Sequence, residues 1–156
     1  MKRSASRWRK APFDTLSENI CRYGRHIIGV TDEEGNKPHY FYSIGNSKSS
    51  SIAAEFLCFW HSDAAARVIN RVADFLKNHQ EVFNYILSHG GVAIGGILIN
   101  GEDVYLRLLS GECERDAREN YACQLDNPEY THLVNPHKII QILIPNENGY
   151  MDLVIR

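Results

Sequence analysis

A chain of 156 residues with 44% hydrophobic and 23% charged residues has the balance of one ordinary globular domain, able to remove roughly two thirds of its unfolded surface from water. That composition excludes a disordered, fibrous or disulfide-scaffold chain. The longest apolar run is far below the ~20 residues of a bilayer-spanning helix, and no apolar stretch follows MKRSASRWRK to make a signal peptide, so a cytoplasmic protein without a membrane partner is expected.

The chain opens on a basic arm, residues 1–11, holding Lys2, Arg3, Arg7, Arg9 and Lys10 around Trp8. Those five leave 12 basic against 19 acidic residues, so the remainder carries −7. A short basic arm on an acidic body offers no second basic face, which makes a flexible tail the expectation and nucleic acid an unexpected partner. No repeat, low-complexity stretch or Pro/Gly-rich linker divides residues 12–156, which are expected to form a single domain.

Asp14 or Thr15, with Glu18 completing a capping box, predicts a helix start; Leu16, Ile20 and Tyr23 keep helical spacing until Gly24. "RHIIGVTDEEGNKPHYFYSIG" predicts two strands around a turn at 32–37, whose acidic pair Glu33 and Glu34 has the character of a solvated loop tip. "AAEFLCFW" predicts a strand buried on both faces. "SDAAARVINRVADFLKNH" then predicts a helix capped by Ser62, with Asp63 in its first turn. Its apolar face is Val68, Ile69, Val72, Phe75 and Leu76; Arg67, Asn70, Arg71, Asp74 and Lys77 form the other.

"EVFNYILSHGG" predicts a short helix closed by Gly90 and Gly91, and "GGVAIGG", lacking a lysine, a loop entering a strand. "AIGGILIN" and "DVYLRLLS" predict strands joined tightly at Asn100-Gly101. "ECERDARENYACQL" predicts an exposed helix with solvated pairs Glu114–Arg118 and Arg115–Glu119, and "KIIQILIP" and "YMDLVI" predict two final strands. The expected fold is α+β, a largely antiparallel sheet with helices packed on it.

Cys21, Cys58, Cys113 and Cys123 form no C-x-x-C pair and predict reduced, packed thiols. Cys113, Cys123, His132 and His137 run in the order of a zinc ligand set, but nine residues separate the cysteines where tight zinc loops use about two to four, so neither metal nor other cofactor is expected. Cys58 and His61 stand three apart, which in an extended strand sends them to opposite faces. No nucleophile elbow, phosphate loop, dinucleotide fingerprint or H-E-x-x-H is present.

Four segments in order, "ENICRYGRHIIGV", "HYFYSIG", "AAEFLCFWHSDAAARVINRVADFL" and "QILIPNENGYMDL", resemble domain of unknown function family 4262 of bacteria and some phages. The shared features are Gly24 after a short helix, the Tyr-Ser-Ile-Gly motif at 42–45, Gln141 in a late strand, and the turn from Pro145 to Gly149. The chain departs from that pattern at Asn146, at Met151-Asp152 and over residues 46–53. The resemblance spans about residues 14–154 and implies a fold but no activity.

In "HYFYSIG", alternation sends Tyr40, Tyr42 and Ile44 to one face and His39, Phe41 and Ser43 to the other. Core packing and a turn at Gly45 account for much of this pattern. Its functional alternative is a ligand pocket at the strand end, drawing on His39, Tyr42, Ser43, Gly45 and, from the late strand, Gln141. Two functions follow: a non-catalytic binding or interaction module, which is preferred, or a small-molecule binder or hydrolase using that pocket. An unidentified protein or small molecule is the expected partner, and a homodimer stays open because symmetric pairs are common.

Overall fold

The computed structural model describes residues 11–31, 40–60, 63–146 and 149–150. The basic arm up to residue 10, the acidic turn, His39, His61, Ser62 and the last six residues lie outside the described residues.

The chain begins with helix α1 (Ala11–Tyr23), so Asp14 and Thr15 lie inside the helix rather than capping it. Gly24 ends α1 at φ 92°, with its N–H bonded to Ile20 O at 2.9 Å. Strand β1 (His26–Val30) pairs antiparallel with β2 (Tyr40–Ile44), and a short helix α2 (Asn46–Ser49) leads into β3 (Ala54–Cys58). Two helices follow, α3 (Ala64–Asn78) and α4 (Gln80–His89), then β4 (Gly91–Ile94), β5 (Val104–Leu108) and helix α5 (Gly111–Asn120). Two 3-10 turns at Cys123–Asp126 and Thr131–Leu133 precede β6 (Lys138–Leu143), and β7 (Pro145–Asn146) pairs with β8 (Gly149–Tyr150).

Six strands form one sheet in the order β1-β2-β3-β6-β5-β4, antiparallel except where β3 meets β6. This is a single α+β domain. The parallel pair sits at the centre, and both its strands carry apolar side chains on both faces, as a doubly covered strand must. Phe56, Ile140, Ile142 and Leu106 face a core closed by α3 and α4. Leu57, Ile139, Tyr42 and Ile44 face a second core closed by α1, α5 and the 3-10 turns. Helix α3 contributes Ala65, Val68, Ile69, Val72, Ala73 and Leu76, one stripe at three-four spacing, to the first.

Three local expectations are corrected. The fourth strand is Gly91–Ile94, not residues 93–100: residues 95–103 form a loop, with Gly96 and Gly101 at positive φ, in place of a two-residue turn. Gly90 alone closes α4, and Gly91 already belongs to the sheet, where the Tyr105 hydroxyl occupies the space of a Cβ. The Glu114–Arg118 pair is not a solvated one: both side chains are about four-fifths buried, and Arg118 also reaches Asp126 and the His137 carbonyl.

Candidate functional site

The Tyr-Ser-Ile-Gly segment ends β2, where the ladder to β3 runs out after Tyr42. Beyond it Ser43 bridges by its side chain. Its Oγ accepts the Phe56 N–H at 2.9 Å and donates to Glu55 Oε1 at 2.7 Å. The same carboxylate accepts the Asn46 N–H at 3.3 Å and, through Oε2, the Ser47 N–H at 2.8 Å. Gly45 makes this possible. At φ 97° it turns the chain so that the first amides of α2 point at Glu55, and a Cβ there would stand 2.5 Å from Ile20 Cγ1.

Asn46 extends the network, donating to Ala54 O at 2.9 Å and accepting from Arg25 Nε at 3.0 Å. Arg25 then reaches Asn70 at 2.9 Å and Asp74 at 3.1 Å, tying α3 to the strand end. An ionised carboxyl in this position must be compensated by donors. Desolvation nevertheless outweighs the bonds from Ser47, Ser43 and Asn46 and holds the Glu55 carboxyl above the ordinary glutamate range.

The sequence-derived site residues therefore divide. Ser43 and Gly45 come together at Glu55, fully enclosed. Tyr42 packs instead in the second core beside Leu57, its hydroxyl accepting the Gln124 N–H at 3.3 Å, and burial pushes that phenol up. Tyr40 beside it donates to Tyr121 O at 3.0 Å, and burial pushes it up to about 12. Gln141 is buried on β6, next to Leu57 rather than at the strand end, and His39 lies outside the described residues. The zinc-like set is also spoken for in part: Cys123 Sγ bonds Glu119 O, and His137 bonds Asn135 O and Arg118. Among the described residues no group of three or more His, Cys, Asp or Glu could hold a metal. Burial pushes the Cys58 thiol up to about 12, far from a nucleophile's range.

A different place is open to a ligand. Between α3 and the 95–103 loop lies a cleft of about 520 Å³, within the size range of ligand pockets. Trp60, Val68, Ile97, Leu98, Ile144 and Pro145 give it apolar walls. Arg67 and Arg71, one helical turn apart, line the same cleft, and Arg71 Nη1 donates to Ile97 O at 2.6 Å, fastening the loop to the helix. Neither arginine has a carboxylate partner among the described residues. Ile99 in the loop also lines the cleft and is 93% exposed.

Sequence reasoning placed both arginines on the solvent face of α3 and the loop residues in a strand. The signal that marks the site is the apolar run Ile97-Leu98-Ile99 held between Gly95-Gly96 and Asn100-Gly101, too glycine-bounded for a long strand. Comparison with protein-family models, with curated proteins and with solved structures finds no match.

Proposed function

We propose that the protein is a non-catalytic interaction module of the cytoplasm, which takes an acidic segment of a partner protein, carrying a bulky apolar side chain, into the cleft between α3 and the 95–103 loop. The observation that carries this is the pairing of two guanidiniums free of carboxylates among the described residues with an apolar hollow. The chain as a whole is acidic at −2, so this cationic rim is a local feature that selects an oppositely charged partner. Aromatic and arginine side chains around a desolvated pocket are the usual anchors of such contacts. Covering Ile99 would add ~1.5–3 kcal/mol if its side chain were fully buried. The ordered segments that resemble family 4262 support kinship with it, and of the Tyr-Ser-Ile-Gly motif Ser43 and Gly45 serve the internal network around Glu55 while Tyr42 and Ile44 pack in the second core.

Selection from a displayed random dodecapeptide library tests the proposal. Enriched peptides should carry Asp or Glu beside Leu, Phe or Trp, and should lose at least tenfold in affinity for the Arg67→Glu/Arg71→Glu variant. Enriched peptides without acidic residues, or binding indifferent to both substitutions, would overturn it. So would saturable self-association abolished by the same substitutions, which would assign the cleft to a second copy of the chain.

A further inference from the structure

Gln141 is 0% exposed, yet neither its Oε1 nor its Nε2 has a hydrogen-bond partner among the described residues. A buried amide without partners costs free energy that an apolar residue of the same shape would not. In the β5/β6 pairing Gln141 stands directly opposite Arg107. Residues so placed share a face of the sheet, with Cβ atoms about 4.5–5.5 Å apart. This face is opposite the one α3 covers, since Ile140, Ile142 and Leu106 pack on the α3 side.

Arg107 is itself underused. It is half-buried, its Nη2 reaches Cys113 Sγ of α5 at 3.6 Å, and no carboxylate pairs with it among the described residues. Sulfur is a weak acceptor for a guanidinium. Glu114, the nearest acid in sequence to Cys113 on its C-terminal side, is held by Arg118 at 3.0 Å. On the inner side of Gln141 stands Leu57, and one pair further along the same face stand Tyr105 and Leu143. On β4, Gly91 lies opposite Arg107 and supplies no side chain to the row.

Two adjacent side chains therefore present an unused pattern: a planar fork of donors, an amide donor and an amide acceptor. A carboxylate matches the fork and the amide N–H, and a hydroxyl on the neighbouring carbon matches the Oε1 acceptor. We propose that Gln141 and Arg107 form a binding site for a small α-hydroxy carboxylate, with the apolar body of the ligand toward Tyr105 and Leu143. Arg107, on the solvent side, moves aside on its flexible stem to admit the ligand and closes over it. The site lies on the other face of the sheet from the cleft and stands or falls independently of it.

The full chain, labelled with ¹⁵N, is titrated with phenyllactate and with phenylpropionate, which lacks the hydroxyl, while the Gln141 Nε2 and Arg107 Nε signals are followed. Phenyllactate should give a saturable shift at both, and phenylpropionate should bind about tenfold more weakly, the value of one lost hydrogen bond. Gln141→Leu should raise the thermal midpoint of the ligand-free protein and abolish binding, and Arg107→Ala should abolish binding with the amide spectrum otherwise retained. No saturable shift in the parent protein, undiminished binding in either variant, or a lowered midpoint in Gln141→Leu would each overturn the proposal.

Discussion

Ser43 and Glu55 are joined inside the sheet by a hydrogen bond of 2.7 Å, both side chains wholly enclosed, at the point where β2 stops pairing with β3. Ser43 also satisfies the Phe56 N–H at 2.9 Å. Ser43→Ala strands that amide and removes one donor from the carboxylate, so unfolding free energy should fall by about 1–3 kcal/mol. Urea denaturation measures it, and a loss within the ±0.5 kcal/mol of a neutral surface change would contradict the role given to Ser43.

Glu55 makes stability depend on pH with a definite sign. Its carboxyl titrates above the ordinary range when folded, chiefly because burial disfavours the charged form. Between the unfolded and the folded value the native protein keeps a proton that the unfolded chain has released, so stability falls as pH rises through that window. Glu55→Gln lacks this dependence and turns an amide N–H toward donors that need an acceptor. The stability advantage of the parent over Glu55→Gln should be largest in acid and shrink as pH rises, as read from denaturation midpoints across pH; a constant difference would show that Glu55 does not titrate as described.

Gly45 is required twice, by φ 97° and by the 2.5 Å approach that a Cβ would make to Ile20. Gly45→Ala should cost about 1–3 kcal/mol. Ile20→Ala removes the collision and leaves the backbone strain, so a double-mutant cycle should recover part of the loss and not all of it. Strict additivity in that cycle would deny the contact.

The bonds around His137 fix its neutral tautomer. Nδ1 donates to Asn135 O at 2.6 Å, which leaves Nε2 to accept from Arg118 Nη1 at 3.2 Å. Burial first, and the Arg118 charge after it, lower its pKa against the opposing pull of the Asn135 bond. A folded value below the unfolded one means that stability is lost as pH falls from the ordinary histidine range through the lowered value. Ring ¹⁵N shifts should report an Nδ1–H imidazole that protonates below the ordinary histidine value; protonation at or above it would contradict the arrangement.

Much of the frame was legible because its signals were redundant. Helix α3 shows one apolar stripe, β3 a run apolar on both faces except at Glu55, and Gly24 and Gly90 stop helices where a positive φ is needed. The fourth strand was misplaced because Ile97, Leu98 and Ile99 have strand propensity, while the actual register is set across the sheet by Gly91 opposite Arg107 and Ile94 opposite Val104. Glu55 was hidden inside an apolar run, since its donors lie 8 to 12 residues earlier and follow no period. Of the cleft only the loop side left a local signal, the glycine-bounded run Ile97-Leu98-Ile99; its pairing with α3 left none, since Arg71 meets Ile97 O across 26 residues and no local pattern joins a helix surface to a distant loop.

The most direct test of the cleft uses its own reporter. The chain has two tryptophans, so Trp8→Phe leaves Trp60 as the sole fluorophore. Titrating that variant with a library-selected acidic peptide should shift the Trp60 emission saturably, and Arg67→Glu/Arg71→Glu should weaken the midpoint at least tenfold while leaving the unbound spectrum unchanged. A Trp60 signal that does not respond to a peptide bound elsewhere on the protein, or a midpoint untouched by the loss of both arginines, would contradict the account.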